Sequence, residues 1–202
     1  MIARLLPHCL RVGAAVLLSL LAGAARAHTE PVATGGFAAG LLHPLGGLDH
    51  LLAMVAVGIW GAALRAPLVW ALPVVFPLLM VLGGVAGIAG LPVPFVEAGI
   101  AASVLALGLC ILAFWRAPVP IALLVVGFFG FLHGYAHGTE LPTSASPAAY
   151  SAGFVMSTGL LHLAGIAIGS VERWTHGRQL LRGSGGAIAA VGLWLLASRV
   201  MA

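Results

Sequence analysis

Residues 119–140 read VPIALLVVGFFGFLHGYAHGTE. The stretch carries no aspartate, glutamate, lysine or arginine before its last residue. As a helix rising 1.5 Å per residue it is long enough to cross a hydrocarbon layer of ~30 Å. Its last turns add three polar groups to this apolar rod. His133 and His137 are i and i+4, Glu140 is i+3 from His137, and at 3.6 residues per turn all three share one face. Gly130, Gly134 and Gly138 form a small-residue stripe beside that face, of the kind that lets a second helix approach closely.

The whole chain has the same character. It is 202 residues long, 61% hydrophobic and 7% charged. An ordinary soluble domain is ~25% charged, so a soluble globular fold is excluded, and the apolar content is far too high for disorder. Five further apolar runs flank the first: roughly Phe37 to Leu64, Leu68 to Ala89, Val93 to Trp115, Pro147 to Ser170 and Gly185 to Val200. The breaks between them are short and hold turn residues, as at Arg65-Ala66-Pro67, Gly90-Leu91-Pro92, Arg116-Ala117-Pro118 and Pro142 to Pro147. The expected fold is therefore all-α, a polytopic membrane bundle of six transmembrane helices over residues 28–202. The last span is the weakest of the six, because Gly183-Ser184-Gly185-Gly186 opens it poorly.

Residues 1–27 have the plan of a cleavable signal peptide. Arg4 and Arg11 flank a short apolar core, and Ala25-Arg26-Ala27 fits the small-x-small cleavage rule, leaving His28 first in the mature chain. The leader takes three of the nine arginines with it, so the basic balance is no sign of nucleic acid. With the mature N-terminus outside, Arg65, Arg116, Arg173, Arg178 and Arg182 fall in inner loops and only Arg199 lies outside, where it could snorkel. Both mature ends are then expected on the periplasmic side.

Ionisable residues within spans mark function by default. Two imidazoles one turn apart, His133 and His137, can chelate a divalent transition metal, with Glu140 as a third ligand. The alternative is interfacial histidines satisfied by water. The first run holds His43-Pro44-Leu45-Gly46-Gly47-Leu48-Asp49-His50. His43 and His50 are i and i+7, ~10 Å apart along an unbroken helix, so one ion reaches both only if the helix is broken. Pro44, Gly46 and Gly47 are the residues that bend or unwind a span. Asp49 could orient His50 or bind metal itself, and both fall near mid-membrane; a buried structural Asp–His pair at a kink is the bland alternative.

Glu97 opens the third span and could be a ligand or simply solvated. His162, with Thr158 one turn before it, is equally a ligand or a helix–helix hydrogen bond. His28 and Glu30 are a weak metal signal, and Cys9 and Cys110 have no thiolate-site spacing. By depth the candidates form a ladder: Glu140, Glu97 and His43 outermost, then His137 and His133, then Asp49, His50 and His162. A ladder of weak ligands suits an ion that must enter and leave, whereas catalysis needs one compact cluster. No Walker motif is present.

At these residues the sequence resembles the HupE/UreJ family of nickel-transport and accessory membrane proteins. The first matching segment runs from His43 through Met54 and on through Val57-Gly58-Ile59-Trp60; the second is Phe131 to Glu140. The resemblance implies a permease of the bacterial cytoplasmic membrane serving urease or hydrogenase maturation. Its metal-handling residues would be His43, Asp49, His50, Glu97, His133, His137 and Glu140. It also implies Ni²⁺ as cargo, with Co²⁺ possible, since imidazole and carboxylate suit several divalent metals. No permanently bound cofactor and no enzymatic activity are expected, and the partners are the metal ion and the bilayer. Two other classes compete: a metal-binding sensor or assembly factor without flux, and an intramembrane metallohydrolase. The latter departs from zincin chemistry at Gly134, where HExxH places its general base.

Overall fold

The computed structural model describes residues 36–140 and 146–201; the expected signal peptide lies outside them. The described residues form seven α-helices and no strand: α1 (Phe37–Gly46), α2 (Leu48–Leu64), α3 (Leu68–Ile88), α4 (Val96–Leu112), α5 (Val119–Thr139), α6 (Pro147–Gly169) and α7 (Gly177–Val200). A 3₁₀ turn, Ser170–Arg173, extends α6. The expected all-helical apolar architecture is thus observed. Helices α3, α5, α6 with its extension, and α7 are each long and apolar enough to cross a membrane; α1 and α2 pass only as a bent pair, and α4 is shorter.

Local chemistry sets several boundaries. The Ser146 hydroxyl accepts from the Ala149 amide and Pro147 follows it, a capped start for α6. Pro118 precedes α5 and Pro120 lies in its first turn, where a missing N–H leaves no gap in the helical ladder. Gly90, at φ +70°, takes the left-handed turn after α3.

Two expected spans differ. The run from Phe37 to Leu64 is not one helix: Gly47 is extended (φ −106°, ψ 122°) and α1 and α2 meet at 87°. Asp49 and His50 therefore lie in the first turn of α2, next to the bend. The last helix is longer than expected, running unbroken from Gly177 through the Gly183–Gly186 stretch. Packing overrides propensity there: a Cβ on Gly185 would overlap the Leu112 amide of α4, and one on Gly192 the Leu105 amide.

The bundle is built from such close pairs. Helices α3 and α5 run parallel, with Gly130, Gly134 and Gly138 against the backbones of Phe76, Met80 and Gly84. Helices α2 and α6 meet at Gly58 and Gly165, α4 and α7 at Gly108 and Gly185, and α1 lies on α6 through Gly40 and Gly153. The outer surface is apolar, with Trp70, Val85, Leu124, Phe128 and Trp194 exposed, whereas His133, His162, Thr158 and Ser103 are buried. That polarity, with histidine inside and leucine outside, is the arrangement a lipid solvent favours.

The two ends differ in charge. Arg65 and Arg116 flank Glu172 at 3.6 and 3.4 Å, Arg182 donates to the Leu112 carbonyl at 2.9 Å, and Arg116 and Arg178 lie over the Phe114 ring. The opposite end gathers His43, His50, His133 and His137 with the acids Asp49, Glu97 and Glu140.

Candidate metal centre

The site is assembled from three helices. Helix α5 supplies His133 and His137, one turn apart and both buried. Their burial follows from the glycine stripe beside them, which draws α3 onto α5. Helix α2 supplies His50 from its first turn. The bend at Gly47 then folds α1 back, so that His43 approaches the same place from a different direction.

The four imidazoles form one cluster. His50 stands 4.6 Å from His137 and 4.9 Å from His133, ring centre to ring centre, and His43 stands 4.7 Å from His137. His43 and His50 are 6.4 Å apart, a distance the regular helix could not provide. The expected spread is therefore compressed into a compact group, because the 87° hinge turns α1 off the axis of α2. Phe154 (4.2 Å from His137), Tyr150 (5.8 Å from His43) and Phe76 (5.4 Å from His133) wall it with aromatic rings.

Hydrogen bonds fix the ring chemistry. His133 Nδ1 lies 2.8 Å from the Phe129 carbonyl, which can only accept, so Nδ1 carries the proton and Nε2 keeps its lone pair. His50 Nδ1 lies 2.7 Å from Asp49 Oδ1, so the same assignment holds: the proton faces the carboxylate and Nε2 is left as a base. Neither Nε2 has a protein partner among the described residues, nor does either nitrogen of His137. Buried polar atoms are almost always partnered. A carboxylate or carbonyl behind a histidine whose other nitrogen is free is the arrangement that orients imidazole toward a metal.

Of the carboxylates, Glu140 is nearest to this chemistry. It caps α5, and one ligand atom each from Glu140, His43 and His137 lie within 4.8 Å of one another. Ligands ~2.0–2.1 Å from one tetrahedral ion stand ~3.3 Å apart, so these side chains would have to move closer to share an ion. Asp49 is behind His50, not in the cluster. It accepts from the His50 amide at 2.8 Å as well as from the ring, and from Arg199 at 3.1 Å. Glu97, 55% exposed at the start of α4, also pairs with Arg199. It is not brought to the imidazoles. His162 is fully buried on α6 and packs against Phe76, 5.4 Å between ring centres. Met54 and Met80 are buried packing residues, and His176 lies exposed beside Gln179.

Arg199 is the residue that sequence reasoning missed. Taken as a snorkelling arginine, it instead joins α7 to α2 and α4 through two carboxylates. The available signal was its isolation: one arginine on the end of the molecule that holds three acids.

Comparison with known proteins identifies the family of the chain. Residues 16–195 match the family described as HupE / UreJ protein. A curated relative, Protein HupE of Rhizobium leguminosarum bv. viciae, is 45% identical over 161 residues, which is 80% of this chain and 84% of that protein. No solved structure matches.

Proposed function

The chain belongs to the HupE/UreJ family, and from that premise we propose that it is a permease or facilitator carrying Ni²⁺, or Co²⁺, inward across the bacterial cytoplasmic membrane for hydrogenase or urease maturation. The family is associated with nickel and cobalt transport for those enzymes. The observation that carries the reading is the convergence of His43, His50, His133 and His137, with the Nε2 atoms of His50 and His133 freed by hydrogen bonds behind the rings. Neutral imidazoles bind first-row divalent metals well.

In this reading α2 to α7 make six crossings and α1 lies at the outer surface. The arginine-rich end is cytoplasmic by the positive-inside rule, so both ends of the mature chain are periplasmic. Helices α2 and α4, at 17 residues each, sit at the short limit of ~17–25 residues for a span. The membrane potential drives a divalent cation inward by ~4.6 kcal/mol at 100 mV.

Proteoliposomes containing the purified chain and a metal-sensitive dye test it. Ni²⁺ and Co²⁺ should enter faster than Zn²⁺ or Fe²⁺. Equal rates for protein-containing and empty vesicles would sink the permease reading. The compactness of the cluster favours one second reading, a metal-binding accessory protein that retains its ion. Stoichiometric Ni²⁺ binding without flux would establish that alternative.

A further inference from the structure

We propose that His162 is a second ligand station for the transported ion, linked to the outer imidazole cluster through the ring of Phe76, which packs against both His162 and His133; this rests on the permease reading above. His162 is fully buried; the Pro73 carbonyl faces its ring, but neither ring nitrogen completes a well-formed hydrogen bond among the described residues. One turn earlier on α6 the buried Thr158 hydroxyl is unpartnered as well. Leaving such a group unmatched is costly. Two on one helix face, in an otherwise apolar interior, call for a polar occupant between them.

The placement agrees. The Phe76 ring centre is 5.4 Å from that of His133 and 5.4 Å from that of His162, its plane at 58° to the first and 89° to the second. The outer cluster and His162 therefore share one aromatic wall. Beyond His162 the same face of α6 continues at i+4 and i+7 with Ile166 and Gly169. Both line a cavity of about 390 Å³ at the arginine-rich end. Arg65, Arg173 and Glu172 line that cavity too, with Arg65 paired to Glu172. An excess of arginine retains a divalent cation poorly. His162 is then the last unpaired metal ligand before release, and the cavity is an exit from which the ion departs readily.

The test uses the full chain with His162→Ala and His162→Gln, reconstituted at matched protein, and Ni²⁺ alone as the probe. Initial Ni²⁺ uptake should fall about tenfold or more in both variants, a barrier raised by ~1.4 kcal/mol or more. Equilibrium dialysis should show one Ni²⁺ equivalent lost and the outer-cluster equivalent retained; His137→Ala should lose the outer one. Glutamine keeps volume and hydrogen-bonding atoms but is a poor nickel ligand. Wild-type uptake in His162→Gln would therefore assign the imidazole a packing role and overturn the proposal. Should alanine cost folding, the glutamine variant decides alone. A wild-type protein that neither binds nor carries Ni²⁺ overturns the permease reading and the station with it. Normal wild-type flux with unaffected His162 variants overturns the station only.

Discussion

The guanidinium of Arg199, in the last turn of α7, donates to Asp49 Oδ2 at 3.1 Å across 150 positions of sequence. Asp49 thus receives three donors: this one, the His50 ring and the His50 amide. A buried carboxylate is tolerable when it is charge-paired and fully hydrogen-bonded. The same guanidinium meets Glu97, so one cation serves two acids on two helices. The consequence for function is that Asp49 acts on the metal through His50, by holding the ring's proton on Nδ1.

Asp49→Asn should reduce Ni²⁺ uptake about tenfold or more, equivalent to a barrier ~1.4 kcal/mol higher. The amide carbonyl can still accept from His50, but the amide nitrogen then faces the Arg199 guanidinium, donor against donor. The ring loses its anionic partner and its fixed orientation. Uptake at matched membrane abundance checks this. Full wild-type rates would remove Asp49 from the account.

Arg199→Ala should lower the melting temperature of the detergent-solubilised chain, because it leaves Asp49 and Glu97 unneutralised. Pairing with Asp49→Asn in a double-mutant cycle should give a coupling of ~0.5–3 kcal/mol, the range for residues in direct contact. Additive effects would mean that the ion pair contributes nothing to folding. The Arg199 side chain is 33% exposed, so solvent screening keeps the value toward the lower end.

Gly134→Ala should strongly reduce the amount of folded protein, since its Cβ would overlap the Met80 carbonyl, a backbone atom that cannot move aside. Gly159→Ala is the matched control: nothing lies within 4 Å of its Cβ, and the substitution should be neutral or slightly stabilising. Membrane abundance and thermal melting of both variants make the comparison.

Much of this was legible in the sequence. The apolar runs and their Pro/Gly breaks mark the helices, because hydrocarbon admits few other structures. The alignment of His133, His137 and the glycine stripe follows from the helical repeat alone. Other features depend on tertiary contact. Pro44, Gly46 and Gly47 permit a bend, but its size is set by α1 packing on α6, so neither the 87° angle nor the compact cluster could be read from spacing. The glycines near position 185 look like helix breakers until α4 is placed against them. Arg199 meets Asp49 and Glu97 only once α7, α2 and α4 are brought together.

Ni²⁺ entry into proteoliposomes, compared between the wild-type chain and His133→Ala and His137→Ala at equal reconstituted amounts, tests the central claim most directly. The account predicts that the wild-type chain admits Ni²⁺ and that each variant, still folded, falls to the rate of empty vesicles, because each removes an imidazole nitrogen from the cluster. Wild-type rates in both variants would contradict it and take the imidazole cluster out of the ion's path.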